Sequence, residues 1–369
     1  MAYHAYSPYA RSWGSSDRRI DSLSLASVSL SQWNRFLGFA PSATPFHRYE
    51  YLQFVSRLNQ VEFLPMGVFC QQQLVGLFPI IRFRRGPFRI AGSPVSFAAM
   101  PIPYLGPVID DDLLFPALQC FDAWVQREHV DYSELRTAGA LPHLSGWETE
   151  TLFTVILELP RDVESLVKNL SPTCRTAIRK AQKEKVEVCE ITQEQFFLED
   201  YSTMADDVYR RWHRRPPKTP AYFTGLFRLW HESGRVRVLS AKRSGLVIAA
   251  AVFLLNPETK TAYYLDGVSH TSTNQLRPNN AIQWEMLQYL VQAKYRRYDM
   301  LGGSVAGIRR FKLTFGGRLV PYSHAFRSRN LWVKLARLCY RPSLAVLRKT
   351  LYVIGNTFSK KRSITSASS

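Results

Sequence analysis

An α/β fold built from two similar halves is the architecture that the sequence predicts. Two apolar hairpins indicate it, one at residues 66–83 and the other at 236–255, about 170 residues further along the chain. In each half a further strand, a helix and another strand follow the hairpin. Because the halves share this order of elements but few identical residues, we interpret them as an internal duplication.

The length of the chain also favours two domains, since 369 residues exceed one average domain. The hydrophobic fraction of 46% is enough for two cores. The longest apolar run, at 246–255, is far shorter than the roughly 18–20 residues of a membrane-spanning helix and suits a buried strand. The predicted organisation is a flexible N-terminal segment (1–30), a first domain (31–150), a second domain (151–330) and a basic amphipathic tail (331–369).

The elements of the first half follow from apolar spacing and from breaks. Helical spacing begins at Gln32, and Pro41 and Pro45 interrupt it. Further prolines make 94–107 a long loop. The remaining predicted elements of this half are strands at 66–70, 74–83, 88–92 and 132–136 and a helix at 113–128.

The second half has clearer boundaries. Ser171-Pro172 is a good helix start, because Ser caps a helix and Pro fits its first turn. The helix that follows carries Arg175, Arg179 and Lys183 on one face. The other predicted elements are strands at 152–159, 236–241, 246–255, 261–268 and 298–301 and a helix from about 280 to 296.

The net charge of +19 is unevenly distributed, because the segment from Arg327 to the end has ten Lys or Arg and no acidic residue. A segment this basic favours polyanionic partners such as phosphate-rich ligands, tRNA or an anionic membrane surface. The five cysteines are scattered and odd in number, so neither a disulfide framework nor a zinc site is expected. With no apolar core for a secretory signal at the N-terminus, the predicted location is the cytoplasm.

Four segments resemble a known family. They are the basic helix SPTCRTAIRKAQKEKVEV, then VYRRWHRRPPKTPAYFTGL, YYLDGVSHTSTNQLRPNNAI and YDMLGGSVAGIRRFKLTFGG, the last being the most specific. Together they resemble the GNAT acyltransferase superfamily, and within it the FemA/FemB-like branch, which has two GNAT domains in tandem. The resemblance covers roughly residues 32–326. It implies tandem GNAT-like (acyl-CoA N-acyltransferase) domains with mixed central sheets flanked by helices, acyl-CoA as co-substrate and no metal.

The donor is expected to bind at the start of the helix near residue 280. A helix N-terminus offers unpaired N–H groups and a positive dipole end, which suit a phosphate. A glycine usually follows the proline at this point in the family, whereas this chain has asparagine. Either the asparagines present their N–H groups in the same way, or coenzyme A is not the donor; an ordinary Asn cap is a further alternative. The residues concerned are Arg277, Pro278, Asn279, Asn280 and Ala281.

Three residues are candidates for catalysis. By the resemblance, Lys312 of the aromatic-Lys pair stabilises the acyl carbonyl during attack; the alternative is a solvated lysine in a basic run. Asp299 and Asp266 lie near the ends of predicted strands and could accept a proton. Asp266-Gly267 is also a turn signal, and Asp299 could instead pair with an arginine. The family pattern has one residue fewer between the aspartate and its paired glycines, which weakens the transfer of a role to Asp299.

Candidate substrate-binding residues form a cationic and aromatic set, in which Arg forks match phosphates and Trp offers a stacking face. The alternative is a solvated helix end. In the tail, Lys334, Arg337 and Arg341 share one helical face opposite apolar residues, as in helices that lie on anionic membranes. The substrate set comprises Arg211, Trp212, His213 and Arg214, with Tyr264 and Phe311 near the donor.

The sequence therefore predicts a cytoplasmic N- or O-acyltransferase, peripheral on the inner face of the membrane. Its acceptor would be an amine or hydroxyl of a cell-surface polysaccharide, glycolipid or cell-wall precursor. An aminoacyl-tRNA-dependent transferase is one alternative, and a non-catalytic binding protein that keeps the fold is the other. No P-loop, HExxH motif, hydrolase triad or Rossmann fingerprint is present in the sequence.

Overall fold

One mixed sheet of twelve strands runs through the computed structural model, which describes residues 23–96, 102–210 and 215–337. The strand order is β1-β2-β3-β4-β5-β12-β6-β11-β10-β9-β8-β7. The first half contains β1 (Leu23–Ser27), α1 (Leu30–Leu37), α2 (Tyr49–Leu58), β2 (Glu62–Cys70), β3 (Gln73–Arg85), β4 (Phe88–Ser93), α3 (Asp111–Arg127) and β5 (Tyr132–Thr137). The second half contains β6 (Glu148–Glu158), α4 (Val163–Asn169), α5 (Pro172–Lys183), β7 (Glu187–Glu190), α6 (Asp200–Arg210), α7 (Pro220–Trp230), β8 (Val236–Arg243), β9 (Leu246–Asn256), β10 (Thr261–Ser269), α8 (Pro278–Gln292), β11 (Arg297–Asp299), α9 (Ala306–Leu313) and β12 (Arg318–Ser328).

The predicted hairpins, strands and helices are confirmed, and the differences lie at their ends. Ser171 caps α5 by accepting from the Cys174 amide, as its sequence context predicts. The helix expected to reach residue 296 ends at Gln292. Asp266 lies inside β10, so its interpretation as part of a turn is wrong.

Two corrections concern the chain ends. Residues 23–27 belong to the segment that the sequence predicts to be flexible, but they form β1, because Leu23 and Leu25 alternate and pack on the core beneath α3. Residues 331–337 are helical, and Arg337 is buried, with its guanidinium 3.6 Å from the Phe326 ring centre. Arg337 is therefore not part of an exposed basic face. Arg341 and the rest of the tail lie outside the described residues.

The internal duplication is visible in the order and direction of the strands. In each half, three antiparallel strands are followed by a helix and then by a strand that pairs parallel to the third of them. The parallel pairs are β4 with β5 and β10 with β11. The next strands cross over: β6 follows β5 but pairs with β11, and β12 follows β11 but pairs with β5. The two halves thereby share one sheet, and the boundary predicted at 150/151 falls within β6.

Three apolar clusters cover the faces of this sheet. One lies beneath α3 in the first half, and a second lies beneath α5 and α8 in the second half. The third cluster joins both halves on the opposite face. In that cluster Tyr51 stacks on Trp230 with ring centres 5.2 Å apart, and its hydroxyl is 3.0 Å from that of Tyr222. Aromatic packing therefore fixes the first half against the second.

Candidate functional site

A cleft opens in the second half where β10 and β11 part. Their parallel pairing ends at Tyr263 and Asp299. Beyond this pair, residues 300–303 keep their backbone hydrogen bonds to β6. A bulge between Tyr264 and Asp266 disturbs the register of β10 at the same level. The backbone of 300–303 therefore faces the cleft on its β10 side.

Lys312 reaches the point where this cleft begins. It lies on α9 and is only 6% exposed, so the interpretation as a solvated surface lysine is wrong. Its Nζ donates to the carbonyls of Met300 and Leu301 at 2.6 Å each, and weakly to that of Gly302 at 3.4 Å. The ammonium also lies 5.3 Å from the centre of the Tyr264 ring. Two strong bonds fix the cation, and its third N–H remains weakly engaged.

The charge state of Lys312 depends on its surroundings. Burial lowers the pKa of Lys312 from 10.5 to about 8, and the negative charge of Asp299 opposes this shift. Lys218 lowers the pKa further, whereas Asp266 raises it. The group is therefore a cation at neutral pH, held where water is scarce. Such a fixed charge interacts strongly with a developing oxyanion.

Asp299 is buried and organises the turn that binds Lys312. Its Oδ1 accepts from the Leu301 amide at 2.8 Å and from the Thr154 hydroxyl, and its Oδ2 accepts from the Tyr104 hydroxyl. Burial raises the pKa of Asp299, and these three donors together with the charge of Lys312 oppose the rise. Both carboxyl oxygens are thus occupied by protein donors. This geometry suits a carboxylate that positions the turn.

Asp266 is more accessible than Asp299, with 17% of its side chain exposed. Lys218 Nζ donates to it at 2.6 Å and Tyr201 donates its hydroxyl at 2.5 Å. The carboxylate lies close enough to Lys312 to influence its pKa. Both oxygens of Asp266 also accept from protein donors, but unlike Asp299 this carboxylate keeps access to solvent, so it can receive a proton from an attacking amine.

The start of α8 lacks the side-chain cap that α4, α5 and α7 have, although the amides of Asn280 and Ala281 donate to the Arg277 carbonyl. Its N-cap is Arg277, exposed and in the left-handed region at φ 61°, so the interpretation as an ordinary Asn cap is wrong. Pro278 is the first helical residue. Asn279 Nδ2 donates to Ser269 Oγ at 3.2 Å, and Asn280 Nδ2 lies 3.9 Å from Cys174 Sγ. The asparagines thus fasten the helix start to β10 and α5, and Ala281, half-buried, follows in the same turn.

The two aromatic candidates occupy different surroundings. Tyr264 stacks on Phe253 with ring centres 5.6 Å apart and borders the cleft. Phe311 packs edge-on against Phe315 at 5.2 Å, within the apolar cluster beneath α8. The cationic and aromatic set, Arg211, Trp212, His213 and Arg214, lies outside the described residues.

Sequence reasoning missed four contributors to the site. Lys218 belongs to a basic segment that the sequence singles out, so its charge was a usable signal. Tyr104, Thr154 and Tyr201 lie far apart along the chain and have no motif around them. Only the pairing of distant strands and helices brings their hydroxyl groups to the two carboxylates.

Two further properties concern metals and membranes. Within residues 23–96, 102–210 and 215–337 no cluster of His, Cys, Asp or Glu is arranged to hold a metal ion. No helix in that part of the chain combines the length and hydropathy needed to cross a bilayer.

Comparison with known proteins places this site in context. Residues 168–313 match the family model described as an acetyltransferase (GNAT) domain. The matched region contains α5, α8 and α9 and every residue of the cleft contributed by β10 and by 300–303. No curated protein sequence matches the chain significantly.

Solved structures share the fold over most of the chain. FemX aligns with a TM-score of 0.63 at 12% identity, covering 81% of this chain and 96% of its own. The C-terminal domain of a protein named as a lysylphosphatidylglycerol synthetase, from Agrobacterium fabrum, aligns at 0.54 and 12% identity, covering 84% and 94%. A tandem GNAT protein from the clavulanic acid biosynthesis pathway aligns at 0.51 and 10% identity, covering 84% and 99%. At these identities the likeness establishes the fold.

Proposed function

We propose that this protein transfers an acyl group from acyl-CoA. Residues 168–313 match the acetyltransferase (GNAT) domain model, and the chain shares its fold with FemX and with a tandem GNAT protein. The acceptor is an amine or hydroxyl of a cell-surface polysaccharide, glycolipid or cell-wall precursor. The observation that carries the proposal is the ammonium of Lys312, fixed by two carbonyls where β10 and β11 part.

The donor would lie along the cleft. Its pyrophosphate would bind the start of α8, where the Asn279 N–H and the helix dipole favour an anion and the exposed Arg277 adds a positive charge. Its extended arm would run between β10 and residues 300–303, at the point where the strand pairing of β10 with β11 has ended. The thioester carbonyl would then replace the weak 3.4 Å contact of Lys312 with Gly302.

In the proposed reaction the acceptor nitrogen or oxygen attacks the thioester carbonyl carbon. The carbonyl oxygen becomes an oxyanion that accepts a hydrogen bond from Lys312, an interaction of about 3 kcal/mol in the transition state. The acceptor loses its proton to Asp266, directly or through one water. The carbon–sulfur bond then breaks, coenzyme A leaves as a thiolate, and the proton returns to it. Asp299 keeps the carbonyls of 300–302 oriented toward Lys312.

Calorimetric titration with acetyl-CoA and then a longer acyl-CoA tests the donor assignment. We expect micromolar binding that weakens when Asn279 is changed to Ala, because the start of α8 loses its bond to β10. Absence of binding at millimolar ligand would contradict coenzyme A as donor. It would favour a protein that keeps the fold without this catalysis.

Release of coenzyme A thiol with a panel of amines and alcohols tests the catalytic assignment. Lys312→Met should lower turnover by roughly 100- to 1,000-fold with little change in donor affinity. Lys260→Met is the matched control, since Lys260 also lies beside a tyrosine ring, 5.5 Å from Tyr295, but at the opposite end of β10. Equal turnover in both variants would refute the role of Lys312.

Aminoacyl-tRNA is the second candidate donor. The net charge of +19 and the fold likeness to FemX and to the named lysylphosphatidylglycerol synthetase favour it. Binding to charged tRNA that weakens steeply between 50 and about 200 mM salt would support this donor. A lipid-linked acceptor is compatible with the start of the tail, where Leu331 and Trp332 are exposed beside Lys334.

A further inference from the structure

The first half has a counterpart of the cleft, and the chain itself occupies it. Pairing of β4 with β5 ends at Ser93 and Leu135. Leu105 then takes the place beside β5, with its amide 2.8 Å from the Arg136 carbonyl and a parallel bridge to Thr137. No described residue pairs in this way with 300–303 in the second half. The two related clefts thus differ in that one is filled.

Several contacts lock this filling segment, residues 104–108, in place. Val108 and Leu77 exchange two backbone bonds of 2.8 and 2.9 Å. His47 is buried, and burial lowers the pKa of its imidazole to about 4, so the ring is neutral. Because its Nδ1 accepts from the Thr44 amide at 3.0 Å, its Nε2 donates to the Leu105 carbonyl at 3.2 Å. These contacts fix the segment beside β5, in the place that corresponds to the cleft of the second half.

Gly106 shows how closely the segment fits. Its φ is +76°, and a Cβ at this position would lie 2.5 Å from Thr137 Cγ2. Its amide donates to Ser93 Oγ at 3.2 Å, at the end of β4. A residue with a side chain would be strained and would push the segment away from β5.

Tyr104 carries the effect of this segment into the second half. Its ring is buried against Phe46 and Tyr322, and its hydroxyl donates to Asp299. Asp299 accepts from the Leu301 amide, and the Leu301 carbonyl binds Lys312. One series of hydrogen bonds therefore connects the filled cleft of the first half with the cation of the second.

We propose that Tyr104 is a positioning residue for the acyl-transfer site, through which the first half, whose corresponding cleft is filled by residues 104–108, orients the turn that holds Lys312. The proposal rests on the proposed function for the meaning of that turn. The hydrogen bonds from Tyr104 to Lys312 do not depend on a bound acyl donor. Removing the Tyr104 hydroxyl takes away the contact that fixes Asp299 Oδ2, so the carboxylate is free to turn away from the Leu301 amide.

The test compares Tyr104→Phe with Tyr322→Phe in the full chain. Tyr322 packs against the Tyr104 ring at 5.4 Å, and its hydroxyl is not among the described donors to Asp299, so the second variant is a matched control. The first readout is the pH dependence of Lys312 acetylation by acetic anhydride, followed by mass spectrometry. The second is hydrogen exchange of the peptide that contains the Leu301 amide.

For Tyr104→Phe we expect the labelling midpoint to move from about pH 8 to lower pH by about half a unit or more. The direction follows because a less firmly held turn presents the carbonyls of Met300 and Leu301 less well to the ammonium, while the contacts of Asp266 and Lys218 do not involve Tyr104. Exchange at Leu301 should rise about tenfold. The control should behave as wild type in both measurements.

Unchanged midpoint and exchange in a folded Tyr104→Phe protein would overturn the proposal. Should that variant not fold, 3-fluorotyrosine at position 104 keeps the packing and has a more acidic hydroxyl. This stronger donor to Asp299 should move the midpoint of Lys312 labelling to higher pH, and an unmoved midpoint would likewise overturn the proposal. Neither readout requires acyl-CoA. A failure to bind acyl-CoA would therefore refute the proposed function, and this test of Tyr104 would remain valid.

Discussion

The cost of burying the Lys312 ammonium gives a prediction that needs no substrate. A pKa lowered from 10.5 to about 8 means that the folded state disfavours the protonated form by about 3 kcal/mol relative to the unfolded chain. Below pH 8 both states carry the proton and the full penalty applies. Between pH 8 and 10.5 the unfolded state binds more protons, so the free energy of unfolding rises with pH.

The assay is urea unfolding of wild type and Lys312→Met from pH 7 to 10, followed by tryptophan fluorescence. Groups other than Lys312 titrate in both proteins, so their effects largely cancel in the difference. From pH 7 to 10 the free energy of unfolding of the wild type should rise by about 2–3 kcal/mol relative to that of the variant. Lys260→Met, which removes an exposed lysine, should show a flat difference. A flat or falling difference for Lys312→Met would refute the burial of a charged ammonium at this position.

Two other predictions concern fit and acid stability. Changing Gly267 to Ala places a Cβ 1.9 Å from the Tyr264 hydroxyl, so the thermal midpoint should fall by an amount that corresponds to about 1–3 kcal/mol. Adding Tyr264→Phe should restore part of the lost stability. If it restores none, the clash lies elsewhere. The hydrogen bonds from Arg235 hold the pKa of Glu258 at about 2, below its usual value of 4.5. The ionised carboxylate therefore stabilises the fold above pH 4.5, and this contribution is lost as the pH falls from 4.5 toward 2. Glu258→Gln should flatten the acid limb of the unfolding curve, and an unchanged limb would show that solvent screening removes the effect.

The elements that the sequence predicted are those whose signals are local. The run at 246–255 is almost entirely buried as β9, because a strand covered on both faces needs apolar residues at every position. Ser171-Pro172 determined the start of α5 by capping chemistry alone. The helix and the strand after β10 were also expected from their spacing, and the structure adds that this strand, β11, lies parallel to β10.

The unpredicted part depends on contacts between distant segments. Lys312 follows two arginines, and a basic run is ordinarily solvated; its burial is decided by the turn at 300–302, which receives its side chain. The crossing of β6 and β12 has no local signal either, because strand pairing does not follow chain order. Tyr104 lies in a proline-punctuated loop without periodicity, so nothing in its neighbourhood indicates a partner at Asp299.

The extra residue after Asp299, a departure from the family pattern, has a physical explanation in this turn. Leu301 and Gly302 adopt positive φ values of 52° and 44°, which turns the carbonyls of 300 and 301 toward the Lys312 ammonium. A non-glycine residue in this region costs about 1 kcal/mol or more, and it persists only where its surroundings require it. Here Asp299 supplies that requirement by accepting from the Leu301 amide, and Tyr104 holds Asp299 in turn. The departure therefore accompanies a turn in which Asp299 supports the Lys312 ammonium through Leu301, and Tyr104 links the first half of the chain to that turn.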